Sequence, residues 1–385
     1  MTDSLLHRLR LRDADATAYT FLGPDQEVQW TWGQLRRTAG GVAAALRARC
    51  APGDRVLLLH PQGLDYVAAL LGCMEAGVLA VPLQPPGAHR PQLVVPKLEA
   101  ITADGGVALA CTVSARLDAV KGLLAGSALE GLDWVATDTL PEADLPVEPA
   151  PAEVAYLQYT SGSTSTPKGV MVTHAGIVTN LETFDQDYGH DAGSCMVSWL
   201  PAFHDLGLVY GVMMPLFRGF HGVILDPVGF LRRPASWLQA IHRFRGTHAP
   251  APNFAFDLCA AKVSPDVAAS LDLSCWKVAL NGAEPIRYES EQRFVEAFGV
   301  AGVRWETMSH AYGMSEATAV IAKEPVGTAP VWFDLDGAAL EQHRVVPADP
   351  GPNTKRVAGC GVPVAPTVVA AVDPDTHEIL GPDRV

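Results

Sequence analysis

The run Tyr159-Thr160-Ser161-Gly162-Ser163-Thr164-Ser165-Thr166-Pro167-Lys168-Gly169 combines the residue types that grip a phosphate. Gly162 lets the backbone approach an oxyanion closely with its N–H groups turned toward it. The Ser and Thr hydroxyls add rotatable donors, and Lys168 adds a mobile positive charge. An apolar, strand-like stretch from Val154 to Tyr159 leads into the run. It is not a Walker A loop: that motif ends Gly-Lys-Ser/Thr, and here Val170 follows a Lys-Gly pair. The alternative is a polar surface turn, which seldom gathers so many hydroxyls around one glycine and one lysine.

Three further clusters could act beside it. In Trp199-Leu200-Pro201-Ala202-Phe203-His204-Asp205 the His-Asp pair stands at a strand-to-helix junction. There it either places an imidazole in a cleft or merely caps the helix through Asp205. In Asn281-Gly282-Ala283-Glu284-Pro285 a strand runs into exposed backbone groups, an amide and a carboxylate. Open α/β sheets bind ligands at that carboxyl edge, although an ordinary turn with Pro285 in the first helical turn reads the same way. In Tyr312-Gly313-Met314-Ser315-Glu316 an aromatic ring could stack on a nucleobase. Ser315 could donate to a phosphate oxygen, and Glu316 could hold Mg2+, a hard cation that prefers carboxylate and phosphate oxygens.

The elements that must position these groups alternate between strand and helix from about residue 30. Arg55 to Leu59, Val78 to Leu83, Val107 to Cys111 and Trp134 to Ala136 read as buried strands. Leu64 to Glu75 reads as a helix that stops at Gly77. Such alternation predicts an α/β fold with mainly parallel sheets covered by helices. Pro141 to Glu153 is rich in Pro, Glu and Ala and reads as a linker. Beyond the phosphate-gripping run, His174 to Asp187 is helical, and Met196 to Leu200, Gly222 to Leu225 and Trp276 to Leu280 are strands. From Glu324 the texture turns to Pro, Gly and Asp, and Thr367 to Val372 and His377 to Leu380 read as strand, turn and strand. The expected organisation is a first α/β subdomain over 1–150 and a second, carrying the site, over 151–323. An insertion-like segment over 324–358 and the start of a truncated β subdomain over 359–385 follow.

A chain of 385 residues with 48% hydrophobic and 18% charged residues can bury a large core. Its net charge of -14 argues against nucleic acid as a partner. Seven dispersed cysteines without a Cys-x-x-Cys pair suggest reduced thiols and a cytoplasmic protein. The longest apolar stretch, Tyr66 to Leu83, is broken by Glu75, Gly77 and Pro82, so no membrane span is expected.

The four clusters, in this order and at these separations, resemble the adenylate-forming superfamily of acyl-CoA synthetases, luciferases and peptide-synthetase adenylation domains. The match is closest to the fatty acyl-AMP ligases. Ser165 stands where most of the superfamily has glycine, and Ser-Gly-Ser-Thr-Ser-x-Pro-Lys-Gly is similar to the ligase subgroup. So are Ser198-Trp199-Leu200-Pro201-Ala202-Phe203-His204-Asp205, Pro252-Asn253-Phe254-Ala255-Phe256-Asp257-Leu258-Cys259 and Asn281-Gly282-Ala283-Glu284-Pro285-Ile286-Arg287.

The resemblance implies ATP-dependent activation of a fatty acid to acyl-AMP, with Mg2+. Transfer to the phosphopantetheine thiol of a holo acyl carrier protein follows, in the usual setting of a polyketide or lipopeptide assembly line. By the same resemblance Thr160, Ser161, Gly162, Ser163, Thr164 and Lys168 hold the β- and γ-phosphates. Tyr312 and Asn281-Gly282-Ala283, with Glu284, Gly313 and Met314 beside them, hold adenine; Ser315 meets the α-phosphate and Glu316 carries Mg2+. His204 sits where acyl chain and phosphate meet, with His204, Lys168 and Glu316 as the catalytic set. The acyl tunnel is lined by Trp199, His204, Tyr210, Met213, Met214, Phe254 and Phe256. Tyr210 replaces a glycine of the family pattern, which implies a narrower or shorter tunnel. The segment 326–355 aligns with an insertion that in these ligases restrains a mobile C-terminal domain, with Trp332-Phe333 as its anchor.

The family pattern continues past Val385 into the rest of a small barrel and a C-terminal domain of roughly 100 residues that supplies a catalytic Lys. The chain therefore reads as the N-terminal part of such a ligase, with the C-terminal small domain absent and weak turnover; one lost charge-stabilising contact costs ~10²–10³ in rate. Two alternatives remain: an acyl-CoA synthetase, and a non-catalytic module that binds nucleotide or acyl-adenylate.

Overall fold

The computed structural model describes residues 4–86, 91–145, 153–160, 167–381 and 383–384. Two compact units divide the chain. The first takes in residues up to Glu182, His190–Arg232 and Ser315–Ala319; the second takes in Thr183–Gly189, Arg233–Met314 and Val320 onward. Neither is contiguous in sequence, unlike the blocks 1–150 and 151–323 read from composition.

The first unit is built on two sheets. Six strands follow the order Asp133–Ala136, Val107–Thr112, Arg55–Leu58, Leu79–Pro82, Val154–Thr160, Lys168–Thr173. All pair in parallel except the last, which folds back on its neighbour. Leu57, Val81, Ala110 and Leu157 on this sheet bury against Leu98, Ile101, Val120 and Leu124 of two covering helices. The helix Leu64–Ala76 ends where the pattern predicts, at Gly77, whose left-handed φ of 72° suits a residue without Cβ. The second sheet has the order Glu27–Thr31, Thr17–Leu22, His221–Leu225, Cys195–Ser198. Thr17–Leu22 pairs in parallel with a strand about two hundred residues away in sequence, which is why alternation starting near residue 30 missed it. The helix Trp32–Arg47 opens with a reciprocal cap in which Thr31 Oγ1 accepts from the Gln34 N–H at 3.2 Å and Gln34 Oε1 accepts from the Thr31 N–H at 2.8 Å.

The second unit is organised on a sheet of order Ala279–Asn281, Met308–Gly313, Val320–Lys323, Val362–Pro363. The first pair is parallel, with Asn281 opposite His310, and the next is antiparallel, with Tyr312 opposite Ala322. The strand expected over Trp276 to Leu280 is therefore shorter and later. A separate antiparallel pair, Trp332–Asp336 with Thr354–Ala358, occupies the insertion-like segment. Thr367 to Val372 and His377 to Leu380 are not regular strands; they meet at one bridge, Val372 with Ile379. Val368 is 89% exposed and Ile379 76%, so these residues have no buried face to sustain a ladder. Among the described residues there is no closed barrel, and no helix is long and apolar enough to cross a membrane.

Of the linker expected from Pro141 to Glu153, residues 146–152 lie outside the described residues.

Candidate functional site

In the first unit the strand Val154–Thr160 and its return partner meet with Thr160 opposite Lys168. Ser161, Gly162, Ser163 and Thr164 of the connecting run lie outside the described residues. Lys168 is exposed at the head of the return strand. Two positions before Thr160, Gln158 donates through Nε2 to the Phe203 carbonyl at 2.7 Å, which ties the strand Val154–Thr160 to the backbone just before His204.

Asp205 then links two of the sequence clusters. One carboxylate oxygen accepts from its following N–H, Leu206, at 2.7 Å; the other accepts from the Ser315 hydroxyl at 2.8 Å. Glu316 follows on the short 3₁₀ turn Ser315–Ala317 and is exposed. Asn180 Nδ2 donates to the Ala317 carbonyl at 3.1 Å and fixes that turn from below. His204 is itself exposed beside the Phe203 ring, at 4.9 Å between centroids. The protein atoms crowding its ring disfavour the imidazolium and hold its pKa below the usual range; Lys97 adds to this and Asp205 opposes it.

Beyond Asp205 the chain takes the wider turns of a π-helix, Leu206–Met213, before the α-helix Met214–Arg218. Such turns are rare and concentrate at functional sites. Tyr210, Met213 and Met214 are buried here. The Tyr210 hydroxyl lies 3.2 Å from His190 Nε2, whose ring stacks on Phe220 at 5.5 Å. Trp199 is buried against Phe230, with ring centroids 4.0 Å apart.

The second unit supplies a ledge. The first of two parallel strands ends at Asn281, opposite His310, while the second runs on to Gly313, and a Cβ added at Gly282 would lie 2.8 Å from the Ala311 carbonyl. Ala283 holds a left-handed φ of 66°, a strained conformation of the kind that clusters at ligand clamps. Tyr312 is 52% exposed, and Met314 is exposed beside it. Glu284 bends away to accept from the Phe254 N–H at 2.5 Å, capping the helix Asn253–Lys262 that Pro252 cannot cap. In that helix Phe254 is partly exposed, whereas Phe256 is core, edge-on to Trp237 and Phe294. The ring and tunnel candidates thus fall in separate units: Trp199, Tyr210, Met213 and Met214 in the first, Phe254 and Phe256 in the second.

Beneath the ledge lies a buried ionic cluster that sequence reading did not find. Asn281 Nδ2 donates to Glu291 Oε1 at 2.8 Å, and His310 Nε2 lies 3.0 and 3.1 Å from the two Glu291 oxygens. His310 Nδ1 donates to the Gly359 carbonyl at 2.8 Å, with Glu324 Oε2 at 3.5 Å. Glu324 accepts from the His310 N–H at 3.0 Å and, through its other oxygen, from the Val331 N–H at 2.8 Å. Trp332 packs edge-on against His310 and Tyr288, while its neighbour Phe333 is exposed. Burial disfavours a charged His310, but the two carboxylates and the carbonyl outweigh it and raise its pKa.

These features can be tested against ATP and Mg2+. The buried Asn281 Oδ1 has no hydrogen-bond partner among the described residues, an acceptor at the strand end of the kind a nucleobase amine satisfies. No group of three or more His, Cys, Asp or Glu able to hold a metal occurs among the described residues. A single exposed carboxylate, Glu316, suits an ion that takes its remaining oxygens from phosphates and water, as Mg2+ does.

The family model described as AMP-binding enzyme matches residues 7–385. Over 396 residues the chain is 36% identical to a medium-chain fatty acid–acyl-carrier-protein ligase of Moorena producens, covering 100% of this chain and 67% of that protein. Over 389 residues it is 36% identical to a long-chain fatty acid–AMP ligase of Mycobacterium tuberculosis, covering 96% and 65%. Among solved structures, a fatty acid AMP ligase from Legionella pneumophila superposes with a TM-score of 0.90 at 34% identity, covering 99% of this chain and 67% of that one. A fatty acyl-adenylate ligase of L. pneumophila in complex with acyl adenylate and pyrophosphate gives 0.88 at 33%, covering 97% and 66%. The chain spans about two thirds of the length of these relatives.

Proposed function

Because the chain belongs to the AMP-binding enzyme family, we propose that it carries the nucleotide- and acyl-binding core for ATP-dependent activation of a fatty acid to acyl-AMP. The acyl group then passes to the phosphopantetheine thiol of a holo acyl carrier protein. The observation that carries this reading is the parallel strand pair that ends at Asn281, opposite His310, with Tyr312 further along the partner strand as a half-exposed ring beside a glycine-opened, strained turn. That is the carboxyl edge where α/β sheets bind ligands.

The reaction joins a carboxylate oxygen to the α-phosphorus of ATP as the bond to pyrophosphate breaks. It asks the protein to position two anions and offset charge in the transition state. Tyr312 stacks on adenine, and Asn281, Gly282 and Ala283 form the edge it rests on, with Glu284, Gly313 and Met314 shaping the rim. Thr160, Ser161, Gly162, Ser163, Thr164 and Lys168 hold the outer phosphates. Ser315 meets the α-phosphate; its hydroxyl must release Asp205 to do so. Mg2+, when bound by Glu316 and phosphate oxygens, offsets negative charge on the triphosphate.

His204, kept neutral by its depressed pKa, donates a hydrogen bond near the reacting carboxylate without trapping it as an ion pair. Trp199, Tyr210, Met213, Met214, Phe254 and Phe256 line the acyl path, and Tyr210, tethered to His190, bounds its length. Seven free cysteines accord with a reducing cytoplasm, where ATP is available.

The test is acyl-dependent exchange of pyrophosphate into ATP across fatty acids from short to long. It is paired with calorimetric binding of a non-hydrolysable acyl-adenylate analogue, and with transfer to holo carrier protein against free coenzyme A. Exchange or analogue binding that depends on acyl length is expected, with transfer favouring the carrier protein. No binding of either ATP or the analogue would overturn the reading, and preferential transfer to coenzyme A would reassign the chain to the acyl-CoA synthetases.

A further inference from the structure

Resting on the reading of Asn281 and Tyr312 as the adenine edge, we infer that His310 is a positioning residue for that edge. In its doubly protonated form, it braces Asn281 through Glu291 and ties the adenine strand to the segment that begins at Glu324.

The argument is one of hydrogen-bond accounting. Both ring nitrogens of His310 face acceptors only: Nε2 meets the two oxygens of Glu291, and Nδ1 meets the Gly359 carbonyl. A neutral imidazole has a single N–H and cannot satisfy both sides. The arrangement therefore needs the imidazolium, and the charge is matched by buried Glu291, with Glu324 at 3.5 Å.

Glu291 Oε1 is shared, since it accepts from His310 and from Asn281 Nδ2. Loss of the His310 proton leaves a buried carboxylate without its cation, and the bond that orients Asn281 loses its fixed partner. On the other side, Glu324 holds the His310 backbone and Val331, while Trp332 covers the ring. One imidazole thus sits where three pieces of chain, otherwise distant in sequence, must agree.

The groups facing it are accounted for by element. Glu291 comes from the helix Tyr288–Phe298, Glu324 directly follows the strand Val320–Lys323, and the Gly359 carbonyl and the half-buried Cys360 come from the run after Thr354–Ala358. The neighbouring cation, Lys323, is engaged by Asp187 and faces the Tyr188 ring at 5.0 Å. The direction of the His310 shift agrees with the geometry: its pKa is raised above the ordinary imidazole value, so the brace holds below the raised value and fails as pH rises through it.

Adenosine is the probe, from about pH 6 to about pH 9, because it carries no phosphate and does not itself titrate there. Its affinity for the full chain is measured by calorimetry across that range for the wild type, His310→Gln and Glu291→Gln, with thermal unfolding followed in parallel. The wild type is expected to lose about tenfold in affinity toward the alkaline end, the worth of one charge-assisted hydrogen bond. His310→Gln is expected to bind about tenfold more weakly at the acidic end and to show no pH slope. Glu291→Gln, which keeps an acceptor for Asn281, is expected to lose the slope with a smaller loss of affinity. A wild-type profile that is flat with pH would overturn the inference even if His310→Gln does not fold. So would a folded His310→Gln with wild-type affinity and slope. Adenosine that binds but ignores pH leaves the adenylation reading standing, whereas adenosine and ATP that bind at no pH remove that reading first.

Discussion

Asn281 and Glu316 are both candidate ligand-facing residues, yet their surroundings differ in kind. Asn281 is fully buried and held by Glu291, which is held in turn by His310. Glu316, like Lys168 and His204, is exposed, and what is fixed is only its support: Ser315 on Asp205, Ala317 on Asn180. The proposed nucleoside edge is therefore stiff before any ligand arrives, while the exposed polar groups of the first unit keep their rotamer freedom. A nucleobase has one shape and rewards a prebuilt surface. A triphosphate that becomes pyrophosphate changes charge and geometry during the reaction, and mobile side chains can follow it.

The contrast is sharpest in what substitutions should cost. Glu291→Ala removes the carboxylate that meets His310 Nε2, leaving that side of a buried imidazolium without an acceptor and only Glu324 as its counter-charge, and strands the Asn281 amide. It should destabilise the protein by about 3–5 kcal/mol, read from denaturant unfolding. Glu316→Gln should leave unfolding unchanged and lower acyl-dependent exchange by about 10²–10³-fold, the usual cost of one charge-stabilising contact. If Glu316→Gln unfolded the protein more readily than Glu291→Ala, the division between a stiff edge and a mobile set of charges would be wrong.

What sequence could reveal of this division follows from the range of the interactions. The parallel sheet, the stop at Gly77 and the place of Asn281 where a strand runs out are legible because strand pattern and turn chemistry are local. The return strand Lys168–Thr173 was not anticipated, since its pairing depends on a chain reversal within the same hydroxyl-rich run. Asp205 was read as a helix cap, and its second bond, to a serine 110 residues away, has no spacing signature. Gln158 reaches Phe203 across 45 residues and looks in sequence like one polar residue in an apolar strand. Glu291 and His310 were invisible for a related reason: a Glu on an amphipathic helix and a His before Ala-Tyr-Gly are ordinary until the fold buries them together. A signal was present only in hindsight of burial, because His310 sits at an inward position of a strand that is otherwise apolar or small there.

A smaller effect tests the edge itself. Tyr312→Ala removes an exposed ring that contributes little to the core, so thermal unfolding should move little. Adenosine or AMP binding should weaken by about 1–3 kcal/mol, the usual worth of one base stacked on an aromatic ring. Tyr312→Phe should retain nearly all of it. Equal losses for Ala and Phe would mean that the hydroxyl, not the ring face, makes the contact.

The smallest expected change falls on Ser315, the one candidate whose functional and structural partners compete. Its hydroxyl donates to Asp205 in the structure and has been assigned to the α-phosphate in the reaction. Ser315→Ala removes a single partly buried hydrogen bond and should cost about 1 kcal/mol of stability. If the hydroxyl also moves to the phosphate, exchange must fall beyond what that destabilisation explains, and the fall should appear in kcat rather than in KM for ATP. The comparison with Asp205→Asn separates the two roles. That change keeps an acceptor for Ser315 but weakens its hold, so it should loosen the turn and free the hydroxyl. Loss of exchange in Ser315→Ala with retention in Asp205→Asn would assign the hydroxyl to the phosphate. Equal, small losses in both would reduce Ser315 to an anchor for the turn that carries Glu316, leaving the first unit with fewer reacting contacts than proposed.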